Sequence, residues 1–213
     1  MTRYYPLMLD LKNIKCLVIG GGEVAKRKVY SLWECGADIT LVSPEIVSGL
    51  MELAERKKIT YLKRKYQRGE TRGFSLVFVA TPDPEVSRQV AEEAKTAGIF
   101  CNIADAPSLG NFIVPARIQR GDLSICVSTN GKSPLLAKKI RIDLENNFGP
   151  EYAKLLELME SERKEALEKI PEGVKRKELF EKLVYSDILR LIKEGQDQEV
   201  KKLVENIWQQ VFS

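Results

Sequence analysis

The chain has 213 residues, 44% of them apolar and 30% charged, values that suit a globular protein with one good-sized core and a smaller appended unit. It contains no histidine, which excludes imidazole as metal ligand, proton shuttle or triad base and leaves acid–base work near pH 7 to carboxylates, lysines and tyrosines. The net charge of +4 is uneven, with 22 Lys+Arg against 16 Asp+Glu over residues 1–150 and 12 against 14 over 151–213, so the basic excess of the first part suits an anionic small ligand as well as nucleic acid.

No apolar run approaches the roughly 18 residues needed to span a bilayer. The opening stretch MTRYYPLMLDLKNIKC carries charges where a signal peptide has its apolar centre, so the sequence reads as cytoplasmic, with no membrane partner. Cys16, Cys35, Cys101 and Cys126 show no CxxC spacing. Three of them lie in strand-like apolar runs, where cysteine acts as a small buried hydrophobe, and no metal site is expected. Basic clusters such as RKKITYLKRK (56–65) read as solvated faces, and no aromatic-plus-basic motif points to nucleic acid.

In chain order, KCLVIG (15–20) is an apolar strand ending in glycines, followed by a helix from about Glu23 to Glu34 with Val24, Val29, Leu32 and Trp33 on or near one face. CGAD breaks that helix, ITLVSP (39–44) is a second strand, SGLMELAERKK a helix, and ITYL a third strand. SLVFVA is a fully apolar fourth strand, a helix runs from about Pro84 to Ala97, and GIFCNIAD is the fifth strand. Alternation of this kind predicts a parallel sheet with crossover helices. Beyond Ile113, PARIQRGDLSICV gives two strands joined at the turn RGD, and Ser133-Pro134 opens a helix carrying Leu135, Leu136, Ile140 and Leu144. From Pro150 the sequence is nearly all helix former, broken at IPEG (170–173) and EGQD (194–197). The expected class is α/β: a Rossmann-like parallel sheet over 1–113, a small strand-plus-helix dimerisation segment over 114–148 and an all-helical tail over 149–213.

VIGGGEVAKRK fits G-x-G-x-x-A with Gly20, Gly22 and Ala25, directly after a strand and opening a helix. Gly20 permits the tight turn, Gly22 leaves space for a pyrophosphate, and Ala25 lets helix and strand pack closely, while the helix N-terminus favours the anion. The second strand ends Val42-Ser43-Pro44, with Glu45 the first acid beyond it and nothing basic at that end, which favours NAD over NADP. Ser43 is a candidate for a ribose hydroxyl, Pro44 for the adenine slot, and Thr81, at the end of the fourth strand, for a place beside the cofactor.

Four ordered blocks, YYPLMLDLKNIKCLVIGGGEVAKRK, FVATPDPEV, IFCNIADAPSLGNFIVPA and VSTNGKSPLLAKKIR, resemble precorrin-2 dehydrogenase, a family also found as the N-terminal module of multifunctional siroheme synthase. The resemblance runs from about residue 4 to 146. It implies a homodimer that oxidises precorrin-2, a reduced tetrapyrrole with eight carboxylates, to sirohydrochlorin with NAD+, some members also inserting Fe2+ to give siroheme. It implies cofactor contacts at Glu23, Val24, Pro44 and Glu45, and a key acid before Ala-Pro, here Asp105. The loop Ser128–Ser133 matches one near the active-site cleft in the family, with Thr129 where relatives often carry a second serine and Lys132 adding a charge.

An Asp after a strand is often a turn former. Without histidine, however, a carboxylate at the sheet's carboxyl end is the natural base, and Pro107 stiffens the exit behind it. Asn102 and Asn111 read as satisfying the turn. Eight substrate carboxylates call for cations, and Arg117, Arg120, Lys132, Lys138, Lys139 and Arg141 cluster after Asp105, with Ser128, Thr129, Lys132, Arg117 and Arg120 as substrate-binding candidates. The expected function is NAD-dependent oxidation of precorrin-2 with Asp105 as base; the alternatives are a bifunctional enzyme that also inserts Fe2+, and a non-catalytic NAD-sensing module.

Overall fold

The computed structural model describes residues 4–212 and divides into two compact units, the first ending at Val114 and the second beginning at Pro115. The first unit runs β1 (Lys15–Ile19), α1 (Glu23–Glu34), β2 (Asp38–Val42), α2 (Ser48–Glu55), β3 (Thr60–Leu62), β4 (Leu76–Val79), α3 (Pro84–Ala97) and β5 (Phe100–Ile103). The five strands form one parallel sheet in the order β3-β2-β1-β4-β5. Both faces are covered, which is why the central strands read as unbroken apolar runs. Cys16, Val18, Ile39, Leu41 and Phe78 pack with Val29 of α1 and Leu50 of α2, while Leu17, Ile19, Val77, Val79, Cys101 and Ile103 pack with Val90 and Ala94 of α3.

Helix α3 is closed at both ends by signals visible in the sequence. Asp83 accepts from the Glu85 and Val86 amides at 2.9 and 3.4 Å, Pro84 takes the first helical position, and Gly98 (φ +68°) ends the helix. The buried stripe of α1 is Ala25, Val29 and Leu32. Trp33 departs from expectation. One residue beyond Leu32 it lies about 100° further round the helix, so it stays exposed and meets the Tyr30 ring edge-on at 6.4 Å.

Between β3 and β4 the chain crosses without a helix and is held by one carboxylate of α3. Glu93 accepts from the Tyr66 hydroxyl at 2.7 Å, the Gly69 backbone amide at 3.0 Å, the Thr71 hydroxyl at 3.0 Å and the Gln89 side-chain Nε2 at 3.2 Å. Desolvation pushes the Glu93 carboxyl up, but the four donors outweigh it and hold the group below its ordinary value of 4.5.

The second unit opens with an antiparallel hairpin, β6 (Ala116–Arg120) and β7 (Leu123–Val127), turning at Gly121 (φ +54°). Helix α4 (Pro134–Asn147) packs on β6, with Ser133 accepting from the Leu136 amide at 3.2 Å as its cap. The helices α5 (Glu151–Lys169), α6 (Gly173–Val184), α7 (Ile188–Lys193) and α8 (Asp197–Phe212) close around Ala166, Ile170, Leu179, Leu183, Ile188 and Val204. Breaks fall at IPEG and EGQD as expected, and a third, unanticipated one falls at Tyr185–Asp187. There the Ser186 hydroxyl donates to Leu183 O at 2.8 Å and accepts from the Ile188 amide at 3.3 Å, replacing lost helical bonds.

The cysteine expectation needs one correction. Cys16 and Cys101 are buried in the parallel sheet, and burial pushes each thiol up to about 11. Cys126 is exposed, because a two-stranded hairpin leaves part of its surface uncovered. Among the described residues, no helix is long and apolar enough to cross a membrane.

The Glu93 lock carries a sign. A carboxyl held low in the folded state stabilises above its unfolded value and loses that contribution as pH falls through the lowered folded one. Glu93→Gln is therefore expected to cost about 1–2 kcal/mol at pH 7, and the gap from wild type in urea unfolding should narrow once the pH drops below 4.5.

Candidate active site

The sheet order reverses between β1 and β4, and in open parallel sheets ligands bind beyond the strand ends at that point. The backbone is tightest there. Gly20 sits at φ +114°, and a Cβ on it would collide with Ala80 O and press the Thr81 amide nitrogen at 3.2 Å. Its amide donates to Val42 O at 3.0 Å, so one residue ties the ends of β1, β2 and β4 together.

Gly21, the unspecified position between the two glycines of the motif, also has no room for a Cβ. A Cβ there would strike Glu45 O and come within 2.7 Å of Ser43 Oγ, and Gly21 O accepts from the Val47 amide at 2.9 Å. The signal was the third glycine itself, which the two-glycine motif does not require. Gly22 is the opposite case: a Cβ there would meet nothing within 4 Å.

That open space lies at the N-terminus of α1, where Gly22 is the cap residue and no side chain supplies a capping bond. The first helical bond is from the Lys26 amide to Gly22 O at 2.9 Å. The amides of Glu23, Val24 and Ala25 thus stand at an uncapped positive helix end. Ala25 is fully buried against the sheet, Val24 is half-buried, and exposed Glu23 pairs with Lys26 at 3.5 Å. Uncapped amides beside room made by a missing Cβ fit a pyrophosphate.

At the end of β2, Ser43 is buried and its hydroxyl donates to Glu45 O at 2.6 Å, holding the exposed Pro44–Glu45 pair against the glycine loop. Tyr61 of β3 donates to Pro44 O at 3.4 Å; desolvation, then the Glu45 charge, pushes its phenol up. Lys63, which sequence reasoning missed, belongs to this corner. β3 pairs with β2, and the Ser43 amide bonds Leu62 O at 3.3 Å, so the residue after Leu62 stands at the same sheet edge. Parallel pairing, not sequence proximity, brings a cation there. Thr81, half-buried after β4, accepts from the Asp83 amide at 3.4 Å.

Asp105 follows β5. Ile103 is in register with Val79, and the Ala104 amide donates to Val79 O at 2.9 Å, so Asp105 emerges at the carboxyl edge next to the end of β4. It is exposed, and among the described residues no donor bonds its carboxylate. Asn102 and Asn111 satisfy backbone, as expected: Asn102 donates to Phe112 O at 3.1 Å, and Asn111 bridges the Cys101 amide and Ile99 O, each at 2.8 Å.

The substrate-binding candidates lie in the second unit. Arg120 holds the end of α4, donating from Nε to Phe148 O at 2.8 Å and from Nη2 to Glu145 O at 3.4 Å. Thr129 Oγ1 both donates to Ser133 O and accepts from the Ser133 amide, each at 3.1 Å, closing the loop before α4. Ser128 accepts from the Asn130 amide at 3.1 Å. Arg117 lies on β6 and exposed Lys132 in that loop. Lys139 and Arg141 pair along α4 with Asp143 and Glu145.

Sheet order, glycine loop and open helix terminus define a dinucleotide-binding domain of the Rossmann class. Residues 7–116 match a family described as putative NAD(P)-binding, residues 120–147 the central region of sirohaem biosynthesis proteins, and residues 151–207 the sirohaem synthase dimerisation region. The chain belongs to this family of sirohaem-biosynthesis NAD(P)-binding proteins. It is 32% identical over 201 residues to siroheme synthase of Methylococcus capsulatus, covering 94% of this chain and 42% of that protein. It is 35% identical over 202 residues to siroheme synthase of Pseudomonas aeruginosa, covering 95% and 43% respectively. The chain thus spans less than half the length of these relatives. Among solved structures it is similar to SirC, a precorrin-2 dehydrogenase, with 29% identity and a TM-score of 0.74 over 98% of each chain.

The two glycines make opposite predictions. Gly21→Ala should destabilise the fold by about 1–3 kcal/mol, as an overpacked backbone contact does. Gly22→Ala should leave thermal stability near wild type while weakening dinucleotide binding at least about tenfold, a change of about 1.4 kcal/mol. Thermal unfolding and titration calorimetry with NAD+ separate the two.

Proposed function

We propose that this protein is a precorrin-2 dehydrogenase of siroheme biosynthesis that uses NAD+ and acts as a cytoplasmic homodimer. The observation that carries the reading is Asp105: an exposed carboxylate without a bonding partner among the described residues, next to the end of β4 on the edge where the glycine loop opens. The similarity to SirC over 98% of each chain supports the same reaction class.

The bound dinucleotide supplies the hydride acceptor. Gly20 and Gly22 give its pyrophosphate access to the α1 terminus, with Glu23 and Val24 in the first turn. Ser43 holds Pro44 and Glu45 in place for the adenosine end, and Thr81 borders the loop. The Glu45 carboxylate opposes a 2′-phosphate and Lys63 favours one; we propose NAD+ because the Glu45 backbone carbonyl stands against Gly21, which keeps that acidic residue beside the loop. Asp105 takes the proton released when two hydrogens leave the macrocycle, one as hydride, and one double bond forms. Arg117, Lys132 and Ser128 are the proposed partners of substrate carboxylates. Arg120 and Thr129, given the bonds they make within their own unit, are proposed to shape that surface.

A homodimer is supported by the match of residues 151–207 to a dimerisation region and by apolar side chains exposed on the second unit, including Leu135, Leu136, Val174 and Tyr185. The division into 1–113, 114–148 and 149–213 is proposed as a functional one: cofactor, then substrate-side and interface segment, then interface helices.

Asp105→Ala should retain NAD+ affinity and lower NADH formation from precorrin-2 by about 10²–10⁴-fold, the usual worth of a general base. A variant as fast as wild type would sink the assignment, and tight NAD+ binding with no NADH formed by the wild type would favour a sensing module. The relatives' name, siroheme synthase, favours a second activity, insertion of Fe2+ as substrate into sirohydrochlorin. Protein mixed with sirohydrochlorin and Fe2+ without NAD+ gives the siroheme absorbance spectrum if this activity is present and leaves the starting spectrum unchanged if it is absent.

A further inference from the structure

We infer that Asn111 is a positioning residue that aims Asp105 by clamping the base of the loop that carries it, an inference that rests on the reading of Asp105 as the base. With no hydrogen bond to the Asp105 carboxylate among the described residues, the backbone is what fixes the position and direction of its Cα–Cβ bond, and so the region the carboxylate can reach. That backbone is pinned on one side where the Ala104 amide donates to Val79 O at 2.9 Å. On the other side it enters a single 3-10 turn, Pro107–Leu109, closed by the Leu109 amide on Ala106 O at 3.0 Å and the Gly110 amide on Pro107 O at 3.2 Å. What ties this turn to the sheet is Asn111.

β5 is an edge strand, so its outer amides and carbonyls have no neighbouring strand. Asn111 replaces one. Its Oδ1 accepts from the Cys101 amide at 2.8 Å, its Nδ2 donates to Ile99 O at 2.8 Å, and its own amide donates to Cys101 O at 3.0 Å. A side-chain amide carries donor and acceptor on separate atoms, as a peptide unit does, and so can act as a strand unit at this place. The approach is close enough that a Cβ on Gly110 would stand 2.6 Å from Cys101 O. One residue further, Phe112 O accepts from Asn102 Nδ2 at 3.1 Å, which locks the returning chain a second time. The loop from Asp105 to Gly110 is therefore closed at its neck. Opening the neck frees the acid without touching the glycine loop, two strands away across the sheet.

The test uses the full chain with NAD+ and precorrin-2, following NADH formation. Asn111→Ala should lower kcat at least about tenfold, since a misplacement of about 1 Å can cost a hundredfold, with the NAD+ dissociation constant unchanged. Combined with Asp105→Asn, it should add nothing to the loss that Asp105→Asn causes alone. Asn111→Ser, whose single shorter-reaching oxygen replaces two separated polar atoms, should give a smaller loss in the same direction and serves if the Ala protein does not accumulate. Asn111→Ala at the wild-type rate, a loss that adds in full to that of Asp105→Asn, or NAD+ affinity falling in parallel with kcat would each overturn the inference while the role of Asp105 stands. An Asp105→Asn protein as fast as wild type removes that role and this inference together.

Discussion

Everything in the first unit depends on the close approach of two backbones at the carboxyl ends of β1 and β4. Gly20, at φ +114°, lies where Ala80 O leaves no room for a Cβ. The chain can therefore turn within three residues from a central strand into α1, and α1 starts at the reversal of strand order. A wider turn would move the helix end off the crevice and fill it with side chains. Gly21 makes the companion constraint on the other side, letting Glu45 O, tied down by Ser43, stand against the loop. Two glycines bring three strand ends together, and the third keeps open the space they frame.

The helix ends show how the molecule distributes its hydrogen-bonding capacity. Helices α3 and α4 are capped by Asp83 and Ser133 through their own side chains. Helix α1 has no such cap, though a Ser, Thr, Asp or Asn at its cap position would be worth about 1 kcal/mol. Helices α2, α5, α6 and α7 also lack a side-chain cap, but only at α1 does the open end face the glycine loop, where a capping side chain would occupy the space a phosphate needs. Elsewhere carboxylates do the fastening: four donors on Glu93 take the place of a crossover helix between β3 and β4, and the buried Glu162 carboxylate accepts from Trp208 Nε1 at 2.6 Å in the tail.

Features written locally were legible in the sequence. Each strand of the parallel sheet is a short apolar run, and α1 and α3 begin and end at the residues that their caps and glycines indicate. The glycine motif lies after a strand and before a helix, which is the context that gives it meaning. What escaped was set by pairing across the sheet. Lys63 looks remote from Ser43 until β3 is placed beside β2. The bridge from Asn111 to Cys101 and Ile99 exists because β5 is the edge strand. Gly21 is constrained by Glu45, far along the chain. Trp33 was misplaced for a simpler reason: one residue beyond Leu32, it lies about 100° round the helix from the buried stripe.

The same distinction explains the second unit. The periodic leucines of α4 predicted the helix correctly, yet of its residues only Ala137 is buried. Leu135 is 78% exposed, and Val174 and Tyr185 elsewhere in the unit are 82% and 88% exposed. An amphipathic pattern is selected by whatever the apolar face meets, and periodicity cannot say whether that surface belongs to the same chain. Apolar side chains scattered singly need no partner, whereas several on successive turns of a packed helix are costly to leave in water, at about 25 cal/mol per Å2 of apolar area. A two-fold interface presents each such residue twice, once from each copy, so a modest patch becomes a continuous core. The polar side of α4 is arranged within the helix itself: Lys139 pairs with Asp143 and Arg141 with Glu145, each one turn on.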